Sequence, residues 1–231
     1  MLFGMSWDTD HGELAFALSI LPILLRGMVV TIEASIAGFV IALVFGLVLA
    51  VLKGARSPFI SFPARFVAEF FRDTPLLVQL FFLYYVLADY GIILPAFLTG
   101  ALALGVQYSA YIAEVYRGGI EAVPHGQHEA SHALDLSPVR TFTHIILPQA
   151  IPRVIPALGN YLASIMKDVP VLSVVTVLEM VNVAKIIGDQ TFDYLVPLSM
   201  VGALYLVLSL VASVLVNLLD RSLPKTGLPL R

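Results

Sequence analysis

The chain has no cysteine, so neither disulfides nor thiolate metal sites are available to it. It is also short of charge. Only 13% of its 231 residues are charged, against 59% hydrophobic, and mean hydropathy is +0.92. That is far more apolar than an ordinary soluble domain and places the chain in contact with membrane lipid. The net charge of −3 is too small to point to nucleic acid or any other charged partner. The first fifteen residues hold no Lys or Arg and are acidic at Asp8, Asp10 and Glu13, so no cleavable signal peptide is expected. No linker, low-complexity segment or charge run divides the sequence, which reads as one membrane domain over 1–231. No G-x-x-x-x-G-K-[ST] occurs, which excludes that route to cradling ATP phosphates.

Long apolar runs are what the chain has instead. A spanning helix needs about 20 mostly apolar residues. Five stretches qualify: about 21–52, 75–94, 96–116, one within 151–181, and 195–219. Polar gaps fall at 53–72, 88–91, 117–144 and 182–194, and Asp89-Tyr90-Gly91 predicts a tight hairpin between the second and third spans. With the N-terminus outside, the inner side holds Lys53, Arg56, Arg65, Arg117, Arg140, Arg153, Arg221, Lys225 and Arg231. The outer side then holds only Arg26 and Lys185, which is the bias that sets topology. The expectation is an all-α transmembrane domain, N-terminus out and C-terminus in, with a cytoplasmic loop at about 117–148.

That loop contains "HEASH", His128 to His132, which matches the helical zinc motif H-E-x-x-H. A metalloprotease also requires a third ligand, an open coordination position and a bound water. His144 and Asp135 are candidates, but neither comes at a recognisable spacing, and the histidine pair reads as an accident of composition. The longer stretch, "EASHALDLSPVRTFTHIILPQAIP", reads as helix, turn, helix. Ser137 is the N-cap and Pro138 the first helical residue of the second helix. Pro148, Pro152 and Pro156 then lead into the fourth span.

Here the sequence resembles the membrane subunits of ABC importers, whose cytoplasmic loop reads E-A-A, three residues, G, nine residues, I-x-L-P. Glu129, Ala130, Ile145, Leu147 and Pro148 fall in register, Ser131 stands for the second Ala, and Asp135 stands for the Gly. Asp tolerates the left-handed backbone that such a turn asks of glycine. "EFFRDTPLLVQLFFLYYVL", "SAYIAEVYRGGIEAVPHGQHEA" and "ILPQAIPRVIPALGNYLASIMKD" extend the resemblance to the polar amino acid uptake group, over roughly 21–223. The resemblance implies the five-span type I importer permease fold. It also implies a separate cytoplasmic ATPase dimer that carries ATP and Mg, a second permease subunit (the same or homologous) and an extracytoplasmic solute-binding protein. The loop would be the contact with the ATPase, with Glu129 as polar contact, Ala130 as close-packing position and Asp135 as turn. "FFLYYVLADYGI" and "TVLEMVNVAKIIG" resemble permeases for ectoine-type compatible solutes.

Polar groups at membrane depth are costly and suggest a transport path. Gln107, Tyr111 and Glu114 share one face of the third span, and Asn160, Ser164 and Lys167 share one face of the fourth. With Gln79 they are candidates for substrate contact or for interhelical hydrogen bonding. Glu33 in the first span is either a partner-subunit contact or a satisfied structural carboxylate. Arg72-Asp73-Thr74-Pro75 and Lys167-Asp168-Val169-Pro170 echo each other, and proline there can break the helix. Asp73 and Asp168 are expected to neutralise nearby cations or cap the following helices. A stand-alone secondary transporter or channel is the alternative class, separated by whether uptake needs ATP or only an ion gradient.

Overall fold

A computed structural model describes residues 12–222 of the chain. Asp8 and Asp10, and Lys225 and Arg231 from the charge argument, lie outside the described residues. All regular structure among the described residues is helical. Helix α1 (Glu13–Lys53) follows Gly12, whose φ is +94, and ends at Gly54. It starts before the expected boundary near 21. At 1.5 Å per residue its 41 residues span about 60 Å, roughly twice the hydrocarbon core.

What orients α1 is side-chain size. Its buried face runs Ala34, Gly38, Ala42, Gly46, Ala50, while Ile36, Val40, Val44 and Val48 are exposed on the other. Both faces are apolar, so polarity cannot choose between them in lipid. The small face lets α5 (Ala96–Glu121) approach closely, as small-residue stripes do between membrane helices. At the end of α1 the ammonium of Lys53, 4% exposed, forms an ion pair with Glu114 of α5.

Helix α2 (Pro58–Asp73) buries Ser61, Ala64 and Ala68. The chain then turns by 102° into Leu76–Asp89, made of α3 (Leu76–Phe81), a π-helical turn (Phe82–Val86) and α4 (Leu87–Asp89). The expected second span, 75–94, is therefore helical only to Asp89. The hairpin turn is present, with Gly91 at φ +82 and Ile92 N donating to Leu87 O at 3.0 Å, and Pro95 precedes α5.

Beyond α5 come α6 (His125–Ala133), α7 (Pro138–Arg140), a π-helical segment (Thr141–Ile146) and α8 (Leu147–Asp168). A 3-10 segment (Val169–Val175), α9 (Met180–Thr191) and α10 (Leu195–Ser222) complete the described chain. The expected polar gap at 182–194 is mostly α9. The break lies earlier, after Thr176, which adopts φ +65. There Glu179, fully buried, caps α9 by accepting from Val181 N at 2.9 Å and Asn182 N at 2.7 Å, and Tyr205 of α10 donates to it at 3.3 Å. Helices α1, α5 and α10 are each long and apolar enough to cross a membrane. The number rises to five if each bent pair, Pro58–Asp73 with Leu76–Asp89 and Pro138–Val175 with Met180–Thr191, is one span.

Two core clusters hold the bundle. Leu104, Tyr108 and Ile112 of α5 meet Ala34 and Ala42 of α1 and Ile165 and Leu172 of the α8 run. Phe16, Ile20 and Leu24 of α1 meet Met180 and Ile187 of α9 and Val201 of α10.

The size argument makes a prediction. A Cβ on Gly105 would lie 2.3 Å from Ile41 Cγ2 and 2.5 Å from Ile41 Cβ, close to the α1 backbone, whereas Gly118 has nothing within 4 Å. Gly105→Val is expected to cost about 1–3 kcal/mol of stability by overpacking the seam. Gly118→Ala on the same helix should be neutral or gain about 0.5–1 kcal/mol. Thermal unfolding of the two variants in detergent measures the difference, and equal melting temperatures would refute the seam.

Candidate functional site

Helices α5 and α8 form an open cavity of about 210 Å³ lined by Gln107, Tyr108 and Tyr111 from α5 and by Tyr161, Ser164 and Asp168 from α8. On α5 these are positions i, i+1, i+4, and on α8 they are i, i+3, i+7, so each helix contributes one face. The three rings form a triangle. Centroids are 5.9 Å apart for Tyr108–Tyr111, 6.1 Å for Tyr108–Tyr161 and 6.0 Å for Tyr111–Tyr161, the last pair stacked. The Tyr108 hydroxyl donates to Asp168 Oδ2 at 2.7 Å. Asp168 is the one formally charged residue among the six. Three phenol rings beside one carboxylate, with amide and hydroxyl groups next to them, offer a small site that can take a positively charged group and a polar end.

A glutamine pair closes one side. Pro75 has no N–H to offer Phe71 O, so the break before α3 leaves carbonyls open. The side-chain amides of Gln79 and Gln107 bond each other and meet Phe71 O and Thr74 O, which lie 2.9 and 3.0 Å from Gln79 Nε2. Gln79 Oε1 is buried with no partner. Tyr111 OH reaches Arg72 O at 3.4 Å.

Of the residues singled out from the sequence, Gln107, Tyr111 and Ser164 therefore converge, with Gln79 behind them. Glu114 does not join them, because it is paired with Lys53. Asn160 and Lys167 are exposed and outside the cavity lining, since the α8 face that meets α5 is 161, 164, 168 and not 160, 164, 167. Glu33 is exposed on α1, which removes the satisfied structural carboxylate within this chain. The paired breaks differ in form. Arg72 pairs with Glu69 and Asp73 is exposed, while Asp168 accepts from Tyr108. Neither Asp side chain caps a helix: Pro75 occupies the cap position before α3, and Asp168, at the N-cap of the 3-10 segment, makes no side-chain cap hydrogen bond. Tyr108 and Tyr161 were not picked out from the sequence. Their signal is weak, because a tyrosine in an apolar helix reads as core.

The loop forms as the motif spacing suggests. Helix α6 ends in a paired C-terminal turn in which Leu136 N donates to Ser131 O at 3.1 Å and Asp135 N to His132 O at 3.0 Å. Asp135 has φ +53, the left-handed geometry that this turn requires one residue past the cap. Ser137 accepts from Arg140 N at 3.4 Å with Pro138 at the first position. Glu129, Ala130, Asp135 and Pro148 are exposed, Ile145 is half-buried, and Ser131 is buried with its hydroxyl donating to Gln127 O at 2.6 Å. Ala130 thus leaves the close packing within the chain to Ser131. The loop is fixed by groups outside the motif. Gln149 donates to Gln127 Oε1 at 3.2 Å, Arg153 to Ala122 O at 2.6 Å, and Ile146 is fully buried against Val123 and Ala150. His128 and His132 join no group of three or more metal-binding side chains among the described residues.

Helices long and apolar enough to cross a membrane, a polar cavity and a structured loop are features that a transport subunit needs, and comparison with known proteins gives the family. Residues 42–225 match the family described as binding-protein-dependent transport system inner membrane component, and the chain belongs to that family. It is a multi-pass inner-membrane transport subunit, and ATP hydrolysis resides on a partner ATPase. The chain is 70% identical over 231 residues, all of both proteins, to the "Probable amino-acid ABC transporter permease protein y4tG" of Sinorhizobium fredii. It is 31% identical over 87% of its length, and 85% of the relative's, to the octopine transport system permease protein OccM of Rhizobium radiobacter. Among solved structures, the crystal structure of an amino acid ABC transporter with histidines aligns with a TM-score of 0.85 at 34% identity, covering 88% of this chain and 95% of that one.

The turn at Asp135 can be tested directly. Asp135→Gly should preserve it, whereas Asp135→Val places a β-branched residue in left-handed backbone at a cost of about 1–2 kcal/mol. Amide exchange at Leu136 should stay slow in the first variant and accelerate about tenfold in the second. Equal exchange in both would refute this account of the turn.

Proposed function

We propose that the chain is the permease subunit of an ATP-driven importer for polar amino acids or similar small zwitterions. The tyrosine cavity holds the substrate in passage, and the loop at 129–148 receives motion from the ATPase. The observation that carries this reading is a shared helix. The run Pro138–Val175 contains the second half of the loop and also Tyr161, Ser164 and Asp168 of the cavity wall. Motion at Glu129 and Ala130 passes through the Gln127–Gln149 contact into α8 and so to that wall, while Arg153 ties α8 to the end of α5 at Ala122. This is rigid-element coupling of the kind that domain movements use.

The cavity supports the substrate class. A cation over tyrosine faces is worth on the order of 0.5–2 kcal/mol, and Asp168 adds an ionic partner to it. Ectoine-type solutes, which join a cationic group to a carboxylate, fit the same chemistry. The relatives named as amino-acid and octopine permeases support a substrate with an amino acid backbone. A cytoplasmic ATPase dimer, a second permease subunit and an extracytoplasmic binding protein complete the assembly.

Reconstitution in proteoliposomes with those partners tests the reading. Uptake of radiolabelled polar amino acids should require ATP and the ATPase. Glu129→Lys should cut uptake tenfold or more with membrane insertion unchanged, because reversing a contact charge costs on the order of 2 kcal/mol or more. Asp168→Asn should also lower uptake about tenfold, a loss of about 1.4 kcal/mol, while ATPase stimulation persists. Uptake driven by an ion gradient without the ATPase would overturn the importer reading. Full uptake by Glu129→Lys would remove the loop from the mechanism.

A further inference from the structure

The mouth of the loop region holds a second cavity that transport of a small zwitterion does not use. It has a volume of about 590 Å³ and lies where the end of α1, the end of α5 and the start of α8 meet. Leu47, Ala50 and Val51 form one wall, and Leu147, Ile151 and Leu158 another. Leu47, Val51, Leu147 and Ile151 are exposed, so the groove opens to the outside of the bundle and not toward the tyrosine cavity. Among its lining residues only Arg117 is charged. On α8 the lining runs from Leu147 to Leu158, a rise of about 16 Å, which matches the roughly 15 Å of hydrocarbon in one leaflet.

The charges gather at one end. Arg117 sits with Gly54 and Phe142 in the lining, and the exposed Arg56 and Arg140 are two residues along the chain from Gly54 and Phe142. Glu114 is committed to Lys53, and Glu121 pairs with Arg117 at 3.1 Å but is itself 68% exposed. Arg117, Arg56 and Arg140 thus stand on or next to the lining of an apolar slot one leaflet deep, with Glu121 the carboxylate paired to Arg117.

We propose that this groove binds one anionic phospholipid of the leaflet on the loop side, with an acyl chain along α8 and the phosphate against Arg117. Basic pockets between membrane helices take acidic headgroups in this way. The lipid fills the space between α1 and α8 at the point where the loop enters α8, so it braces the helix that joins the loop to the tyrosine cavity. The proposal depends on the membrane setting of the chain and not on the substrate assigned above.

The absence of cysteine makes the test clean. The assembled transporter, permease with its partners, is reconstituted in vesicles of dioleoylphosphatidylcholine with or without 20% dioleoylphosphatidylglycerol (a proportion of roughly one lipid in five, within the anionic range that creates a surface potential). After gentle detergent release, native mass spectrometry should show phosphatidylglycerol retained over phosphatidylcholine. Arg117→Gln should lower that retention about fivefold, as expected for one basic contact near the surface, and Val51→Trp should lower it by filling the groove. ATP-dependent uptake should rise with phosphatidylglycerol in the wild type and respond less in both variants, whatever substrate is carried. Equal retention of the two lipids, or retention unchanged by both substitutions, overturns the proposal. So does a disulfide-linked permease dimer from Val51→Cys, which would give the groove to a second subunit.

Discussion

The close seam between α1 and α5 is the constraint on which the rest of the structure depends. In lipid there is no hydrophobic gain in bringing two apolar helices together, so association rests on contact area and close approach. Gly38 and Gly46 on α1 and Gly105 on α5 permit that approach, and the buried face of α1 carries a small residue at every fourth position. With α5 held this way, its other residues are placed by consequence. Tyr108 and Tyr111 turn to α8, Gln107 meets Gln79, and Glu114 reaches Lys53.

Polar groups are few in this chain, and most of those inside it resolve a specific backbone or charge problem. Gln79 answers carbonyls that Pro75 leaves open, and Glu179 answers the amides at the start of α9. Lys53 is neutralised by Glu114. Unsatisfied groups of this kind cost several kcal/mol in hydrocarbon, which explains why the breaks in the helices come with a polar side chain close by. The cavity differs. Its tyrosines and Asp168 are more than the backbone needs, and that surplus marks it as the transport site within the proposed function.

The proposed function connects two parts of the chain, the loop and the cavity wall, through the run Pro138–Val175. The exposed face of α6, with Glu129 and Ala130, offers nothing to the chain's own core. Gln127 of α6 is tied to Gln149 of α8, while Arg153 of α8 and Ile146 just before it hold the connection between α5 and α6 at Ala122 and Val123. In the proposed function, movement received by the loop passes along α8 toward Asp168. A loop with no such anchors would absorb it.

How much of this was legible in the sequence follows from which forces act locally. Composition determined the bilayer setting, because 59% hydrophobic residues with 13% charged leave few other solvents possible. The loop was legible down to the left-handed Asp135, since turn and cap chemistry depend on residues within a few positions of each other. Helix limits at Asp89 and at Thr176 were not, because an apolar run looks the same whether it is straight, π-helical or broken. The cavity was legible only in part. Gln107, Tyr111 and Ser164 share faces that periodicity can find, but which face of α8 meets α5 depends on interhelical packing. That rotation brought in Tyr108, Tyr161 and Asp168, left out Asn160 and Lys167, and sent Glu114 to Lys53. Sequence by itself determined the solvent, the helices and the local turns. Tertiary structure alone decided which polar side chains meet, because in an apolar bundle the choice between faces rests on side-chain size and long-range contact.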